Sequence, residues 1–296
     1  VSVDPARVWE FAAIGTPWQV VTGEPVPGAV RRPAAELIER FDRDWSRFRA
    51  DSLVTALARG AGSVAAPPDA TAMLALYADA SAATDGAVDP LVGDALAARG
   101  YDAGYGFADA GARPAPAGWR AQLTWTPASL ALTAPATIDV GALGKGRLVD
   151  LVAGVIRAGL DGPVVVDGSG DIAVRGTTER IGLEHPYDPS RVIGVWEVTD
   201  AALCASAVTR RAWGDGLHHV LDARTGEPVR RIAATWAVAE TAMVADAVAT
   251  TLFFDGGPAF ARAQGAQWVR MSTDGRVEWS PDCTADLFVR ADSVEA

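Results

Sequence analysis

The stretch IDVGALGKGRLVD, from Ile138 to Asp150, joins a strand-like apolar run to an amphipathic helix through Gly141, Gly144 and Gly146. The helix continues to Leu160, with Leu148, Leu151, Val152, Val155, Ile156 and Leu160 on one side at helical spacing. Glycines let a backbone approach a ligand closely, and the first helical turn leaves N–H donors unpaired where the dipole favours negative charge. Lys145 adds a mobile point charge. This chemistry suits a phosphate or pyrophosphate. The spacing is neither the Walker pattern nor that of dinucleotide-binding folds. A glycine turn that only packs helix against sheet fits the same residues.

Outward from this turn, strands are expected near Gln122–Trp125, Pro163–Val166, Ile172–Val174, Val195–Val198, Leu203–Val208, His219–Leu221 and Ile232–Ala239. A second strongly helical segment runs from Ala242 to Phe254. Towards the N-terminus, a strand centred on Val20 and Val21 precedes a helix carrying Leu37, Ile38, Phe41, Trp45 and Phe48. Asp51-Ser52 reads as the N-cap of a short helix, and Pro67-Pro68 introduces another through Met73, Leu74, Leu76 and Tyr77. Strands outnumber helices in the second half without βαβ alternation, so the expected class is α+β. One domain spanning 1–296 is expected, as two intimate lobes with a possible waist at the Pro-rich loop 113–118.

With 296 residues, 49% hydrophobic and 21% charged, the chain has ample core for this. Its net charge of −11 argues against non-specific nucleic-acid binding. Cys204 and Cys283 form no disulfide framework or zinc pattern and read as small buried hydrophobes in strands. No apolar run reaches the ~18 residues of a membrane span. The opening residues show no signal core, cleavage site or lipid-attachment cysteine. A cytoplasmic location is the expectation, with an extracytoplasmic one, its leader removed, as the alternative.

Asp246 and Thr250 lie one helical turn apart on one face, where a carboxylate and a hydroxyl can reach one Mg²⁺. The plainer account is a solvated Asp and a Thr bonded back to its helix, although the apolar flanks give the Asp a need for a partner. His218 and His219 enter a strand and then a polar turn, so only one of them can face a common site. Either both are partly exposed edge residues, or His219 moves a proton near neutrality. Asp89 and Asp139 sit in turns, where an Asp most often caps local N–H groups. His185 reads as a strand-end residue, and Trp18 and Trp45 as core or as ring-stacking surfaces.

Taken in order, these segments resemble the ApbE family of FAD:protein FMN transferases. The motifs are ERFDRDWSRFRADS (39–52), TDGAVDPLVG (84–93), IDVGALGKGRLVD, DGSGDI (167–172), HHVLDARTGEPV (218–229) and ADAVATTLF (245–253), spread from about Ile14 to Gly256. The resemblance implies a T-fold-like α+β architecture with antiparallel or mixed sheets and FAD between two lobes. It implies Mg²⁺-dependent cleavage of the FAD pyrophosphate, with FMN passing to a Thr or Ser hydroxyl of an acceptor flavoprotein and AMP leaving. Asp246, Thr250 and the Ala142 carbonyl then fall at Mg²⁺-ligand positions. Ile14, Phe48, Ala87, Val88, Asp89, Asp139, Lys145 and Val220 fall at FAD-contacting positions, and His219 at that of the proton-transfer histidine. The sequence departs from the family pattern where Ile14 replaces a usual Met-Gly-Thr and Phe48 a frequent Tyr. Ala58 stands for an Asn, and Ala205-Ser206-Ala207 for Thr-Ser-Gly. A hydrolase giving free FMN and AMP, or a flavin binder without turnover, are the alternative activities.

Overall fold

β1 (Val8–Ala13) and β2 (Thr16–Thr22) form the first hairpin of the structure, a computed structural model that describes residues 4–288. Ile14 and Gly15 turn it with φ of 44° and 77°. Helix α1 (Gly28–Trp45) buries Val30, Ala34, Phe41 and Trp45 on one face. Ser52 caps α2 (Leu53–Ala58) as expected, its hydroxyl accepting from Thr55 N at 3.1 Å. Next come β3 (Gly62–Ala65), α3 (Ala70–Ala83) and α4 (Gly93–Ala98), then β4 (Leu123–Trp125) and β5 (Ser129–Leu132). Strands β3, β5 and β4 make a small antiparallel sheet in that order.

After the glycine turn, α5 (Gly144–Gly159) leads into β6 (Val164–Asp167), β7 (Asp171–Arg175), β8 (Thr178–His185), β9 (Asp188–Thr199) and β10 (Ala202–Ala207). β11 (Ile232–Ala239), α6 (Ala242–Thr251), α7 (Gly257–Ala263), β12 (Gln267–Ser272) and β13 (Val277–Trp279) follow. The main sheet has eight strands in the order β1-β2-β6-β7-β10-β11-β12-β13, with every pairing antiparallel. This is the α+β class that the strand-rich second half pointed to. β11 is the most covered strand, with seven of its eight residues buried, which its apolar sequence IAATWAVA permits. Cys204 is buried in β10, but Cys283 is half-buried and lies outside any strand because it follows the turn at Ser280.

Helices α5 and α6 pack against each other and against the sheet, and their crossing sets up the site. Two features bring them together. Asp150 of α5 accepts from Ala242 N at 2.8 Å and Met243 N at 2.9 Å, capping the positive end of α6. Gly146 has no side chain to hold the helices apart; a Cβ there would stand 2.2 Å from the Ala242 carbonyl oxygen. Among the described residues no helix is long and apolar enough to cross a membrane.

Candidate active site

The glycine turn opens into a cavity of about 380 Å³, within the range of small-molecule sites. Ile14, Phe48, Ala87, Val88, Asp89, Asp139, Ala142, Lys145, His219, Val220 and Thr250 all line it. Of the residues that the family resemblance places at the site, Asp246 alone is not at the wall. It lies behind the turn, 4% exposed, with Oδ2 accepting from Gly146 N at 2.9 Å. Thr250, one turn further along α6, reaches the cavity.

The anionic corner is held by three charged groups. Lys145 Nζ sits 2.9 Å from Asp171 Oδ2 and donates to the Ser169 carbonyl at 3.2 Å. Burial pushes the Asp246 carboxyl well above the usual carboxylate range, and the neighbouring Asp171 charge adds to this. Burial likewise raises Asp171, against the opposing pull of Lys145. For Lys145 burial works downward, but Asp171 and Asp246 outweigh it and hold the ammonium above its ordinary value. Two buried carboxyl groups thus share one ammonium, and Thr250 lies one helical turn from Asp246 on α6. This donor set of hard oxygens fits Mg²⁺. Among the described residues no three acidic, His or Cys side chains are arranged to hold a metal ion by themselves, so water and phosphate oxygens would complete such a shell.

The other carboxylates are tied to backbone, as turn aspartates usually are. Asp89 Oδ1 accepts from Leu91 N at 2.7 Å, and burial raises its carboxyl to about 6. Asp139 Oδ1 accepts from Gly141 N at 2.7 Å, while its Oδ2 accepts from Arg47 Nε. Tyr77, buried on α3, braces the same turn: its hydroxyl donates to Asp139 O at 3.1 Å and accepts from Ala142 N at 3.2 Å.

The two histidines part company. The expected strand through His219–Leu221 is broken: Leu217–His218 pairs with Ala212–Trp213, Leu221–Asp222 pairs with Glu227–Pro228, and His219-Val220 lies between. The break follows from the His218 ring. Its Nε2 bonds the Val229 carbonyl at 2.9 Å and its Nδ1 accepts from Val220 N at 3.3 Å, which fixes a neutral Nε2–H tautomer. His219 instead lines the cavity with part of its ring, while its enclosed Nδ1 has no partner among the described residues. Burial, followed by the Arg211 charge, lowers its pKa to about 3.

Three residues matter here that the sequence did not single out. Asp171 was read only as part of a turn motif. Arg47 is 8% exposed; it donates to Asp139 and to the Tyr101 carbonyl at 2.7 Å, and its Nη2 is buried with no hydrogen-bond partner among the described residues. Arg99 clamps the histidine segment. Its side chain donates to Gly226 O at 3.1 Å and pairs with Asp109 and Glu227, while its carbonyl accepts from Trp213 Nε1 at 2.9 Å. Only its poor fit to an exposed surface role could have marked a buried arginine in advance.

The fold is antiparallel α+β, and its glycine turn and neutral histidine share one cavity with a buried acidic pair, Asp171 and Asp246, behind it. These donors and charges are of the class that suits a phosphorylated ligand. The chain belongs to the ApbE family, whose model matches residues 14–270. It is 27% identical over 302 residues to the FAD:protein FMN transferase of Rhodobacter capsulatus, covering 94% of this chain and 57% of that protein. The chain thus spans a little over half the length of this curated relative. Its fold is similar to that of the flavin transferase ApbE from Vibrio cholerae, with a TM-score of 0.75, 22% identity, and 93% and 96% of the two chains covered. It is also similar to that of the ApbE protein from Thermotoga maritima, with a TM-score of 0.78, 21% identity and the same coverage.

Proposed function

We propose that this chain is a Mg²⁺-dependent FAD:protein FMN transferase that places FMN on a Thr or Ser hydroxyl of an acceptor flavoprotein and releases AMP. The observation that supports it most is the single cavity shared by a neutral His219, the Lys145 turn and Thr250, with the Asp246 carboxylate directly behind. In the proposed reaction the acceptor oxygen bonds to the phosphorus on the FMN side. The bond from that phosphorus to the bridging oxygen breaks, and AMP leaves with that oxygen. The acceptor proton passes to His219, a transfer typically worth roughly 10²–10⁴-fold in rate. An anionic pyrophosphate beside the imidazole favours its protonated form, so substrate itself restores basicity lost to burial.

Asp246, Thr250 and the Ala142 carbonyl are the proposed holders of Mg²⁺, which when bound supplies charge neutralisation at the pyrophosphate. The N–H groups opening α5 and the Lys145 ammonium hold the phosphates in line, largely a matter of positioning. Arg47 offers its spare Nη2 donor to a polar atom of the flavin nucleotide. The deciding experiment is mass spectrometry of a threonine-containing acceptor domain after incubation with this protein, FAD and Mg²⁺, with an EDTA control. A Mg²⁺-dependent gain of one FMN with AMP release is expected. Free FMN and AMP with an unmodified acceptor would make the chain a pyrophosphatase, and intact FAD a flavin binder.

A further inference from the structure

Arg99, the residue that ends α4, has its side chain buried and all three guanidinium nitrogens in hydrogen bonds, although it does not line the cavity. Nε donates to Gly226 O at 3.1 Å, Nη1 to Asp109 at 3.0 Å and Nη2 to Glu227. A buried charge persists only when it is paired in this way. The chain brings both carboxylates to it. Ala110 N donates to Ala98 O at 2.8 Å and Phe107 N to Gly100 O at 2.9 Å, which folds the loop after α4 back and sets Asp109 beside Arg99. Glu227 arrives on the second of the two hairpins that flank His219.

Those hairpins are too small to hold the histidine unaided. Each has two residues per strand, and an isolated two-stranded ribbon is marginal in water. Between them, His219 N reaches Arg211 O at 3.3 Å and Val220 N reaches the His218 ring at 3.3 Å. Both are longer than a typical hydrogen bond.

Arg99 joins the two hairpins. Its guanidinium takes Gly226 and Glu227 of the second, and its carbonyl accepts from Trp213 Nε1 of the first at 2.9 Å. Apolar packing follows the same path, since Leu96, Tyr101 and Leu221 form a small buried cluster with Trp213 against it. The far side is closed as well. A Cβ on Gly226 would stand 2.1 Å from the Arg113 carbonyl oxygen, and Ala115 N donates to Ala223 O at 2.7 Å. Resting on the transferase reading, we infer that Arg99 is the positioning residue for His219: it locks the flanking hairpins together so that the imidazole stands where the acceptor hydroxyl enters the cavity. It acts through His219 and not on substrate. A displacement of about 1 Å at a reacting group costs on the order of a hundredfold in rate, so the lock has a measurable output.

The test compares two conservative substitutions in the full chain. Arg99→Lys keeps the charge, but a single ammonium cannot serve Gly226, Asp109 and Glu227 as a planar fork does. Arg270→Lys is the control, because Arg270 of β12 is likewise paired, to Glu278, and does not line the cavity. In Arg99→Lys the rate of FMN transfer at saturating FAD should fall about tenfold, with FAD affinity, read by flavin fluorescence in EDTA, unchanged. Amide exchange of residues 217–229, followed by mass, should quicken by more than the loss of global stability in denaturant explains. Arg270→Lys should lose stability and keep its transfer rate. If Arg99→Lys does not fold, Glu227→Gln loosens the same contact from its half-exposed side and should show both effects in smaller measure. Unchanged exchange of 217–229 overturns the inference whatever the rate. A rate loss matched by Arg270→Lys, or one that follows a loss of FAD affinity, overturns it too. Wild type that transfers no FMN would overturn the transferase reading instead, and the exchange comparison would then decide by itself whether Arg99 holds the histidine segment.

Discussion

At the scale of single residues, two groups in the cavity pull stability in opposite directions as pH changes. His219 has its folded pKa lowered to about 3, so between that value and the unfolded value near 6.5 the unfolded chain binds the extra proton. The stability it contributes is complete above the unfolded value and is lost as pH falls toward 3. The total is of the order of a few kcal/mol. Asp89 does the reverse. Its folded pKa is raised to about 6 from 3.8, so the folded chain holds the proton longer and stability falls as pH rises through that window. About 3 kcal/mol is at stake above pH 6. Asp89→Asn keeps an acceptor for Leu91 N and removes the ionisation. We expect it to be more stable than wild type at pH 8, by up to about 3 kcal/mol, and nearly equal at pH 4. Denaturant unfolding at the two pH values decides, since His219 contributes equally to both proteins; a constant difference would refute the burial cost. His219→Gln should flatten the loss of stability between pH 6.5 and 4 and abolish FMN transfer. Undiminished transfer would remove the histidine from the mechanism.

Elements carry the next layer, and here the sequence spoke clearly in some places and not in others. The glycine turn was legible because a helix with one apolar face has to begin where Gly144 and Gly146 end the extended run. What was hidden is why Gly146 is a glycine. The reason is α6, a hundred residues on, whose carbonyl at Ala242 leaves no room for a Cβ. Gly146→Ala must push the helices apart and break the Gly146 N bond to Asp246. We expect a loss of about 2–4 kcal/mol of stability, with Mg²⁺-dependent FAD binding lost as well. Gly154 on the same helix is the control: it is exposed, and a Cβ there meets nothing within 4 Å. Gly154→Ala should stabilise by up to about 1 kcal/mol through helix propensity, read as a raised midpoint in the same unfolding assay. If both substitutions behave alike, the crossing does not depend on Gly146. The strand expected at His219 failed for a related reason: the bonds of the His218 ring to Val229 and Val220 are a local choice that alternation of apolar residues does not encode.

On the scale of the whole molecule, the cavity is assembled from segments between Ile14 and Phe254, nearly the full length of the chain. Motif order made that legible, because each segment carries its own turn chemistry. Pairings between segments were not: Arg47 meets Asp139 at a separation of 92 positions, and Lys145 meets Asp171 across the rest of α5 and the whole of β6. Nothing in a single sequence pairs one particular arginine with one particular aspartate. The same assembly makes the fold pay for its site, since Asp171 and Asp246 are both buried and share one ammonium. A bound cation should therefore return stability to the entire molecule. With FAD at about a hundred times its Kd, binding adds about 2.7 kcal/mol, and we expect Mg²⁺ to raise the unfolding temperature further in its presence. Asp246→Asn keeps an oxygen acceptor for Gly146 N and relieves the crowding of charge. Without metal that variant should be as stable as wild type or more so, because a buried like-charge neighbour costs stability. It should nevertheless lose the Mg²⁺-dependent part of the shift, measured by thermal unfolding with FAD across a Mg²⁺ titration. A full Mg²⁺ response in Asp246→Asn would place the cation elsewhere, whereas a metal-free protein markedly weakened by the change would show the carboxylate to be a structural cap and not a ligand held in reserve.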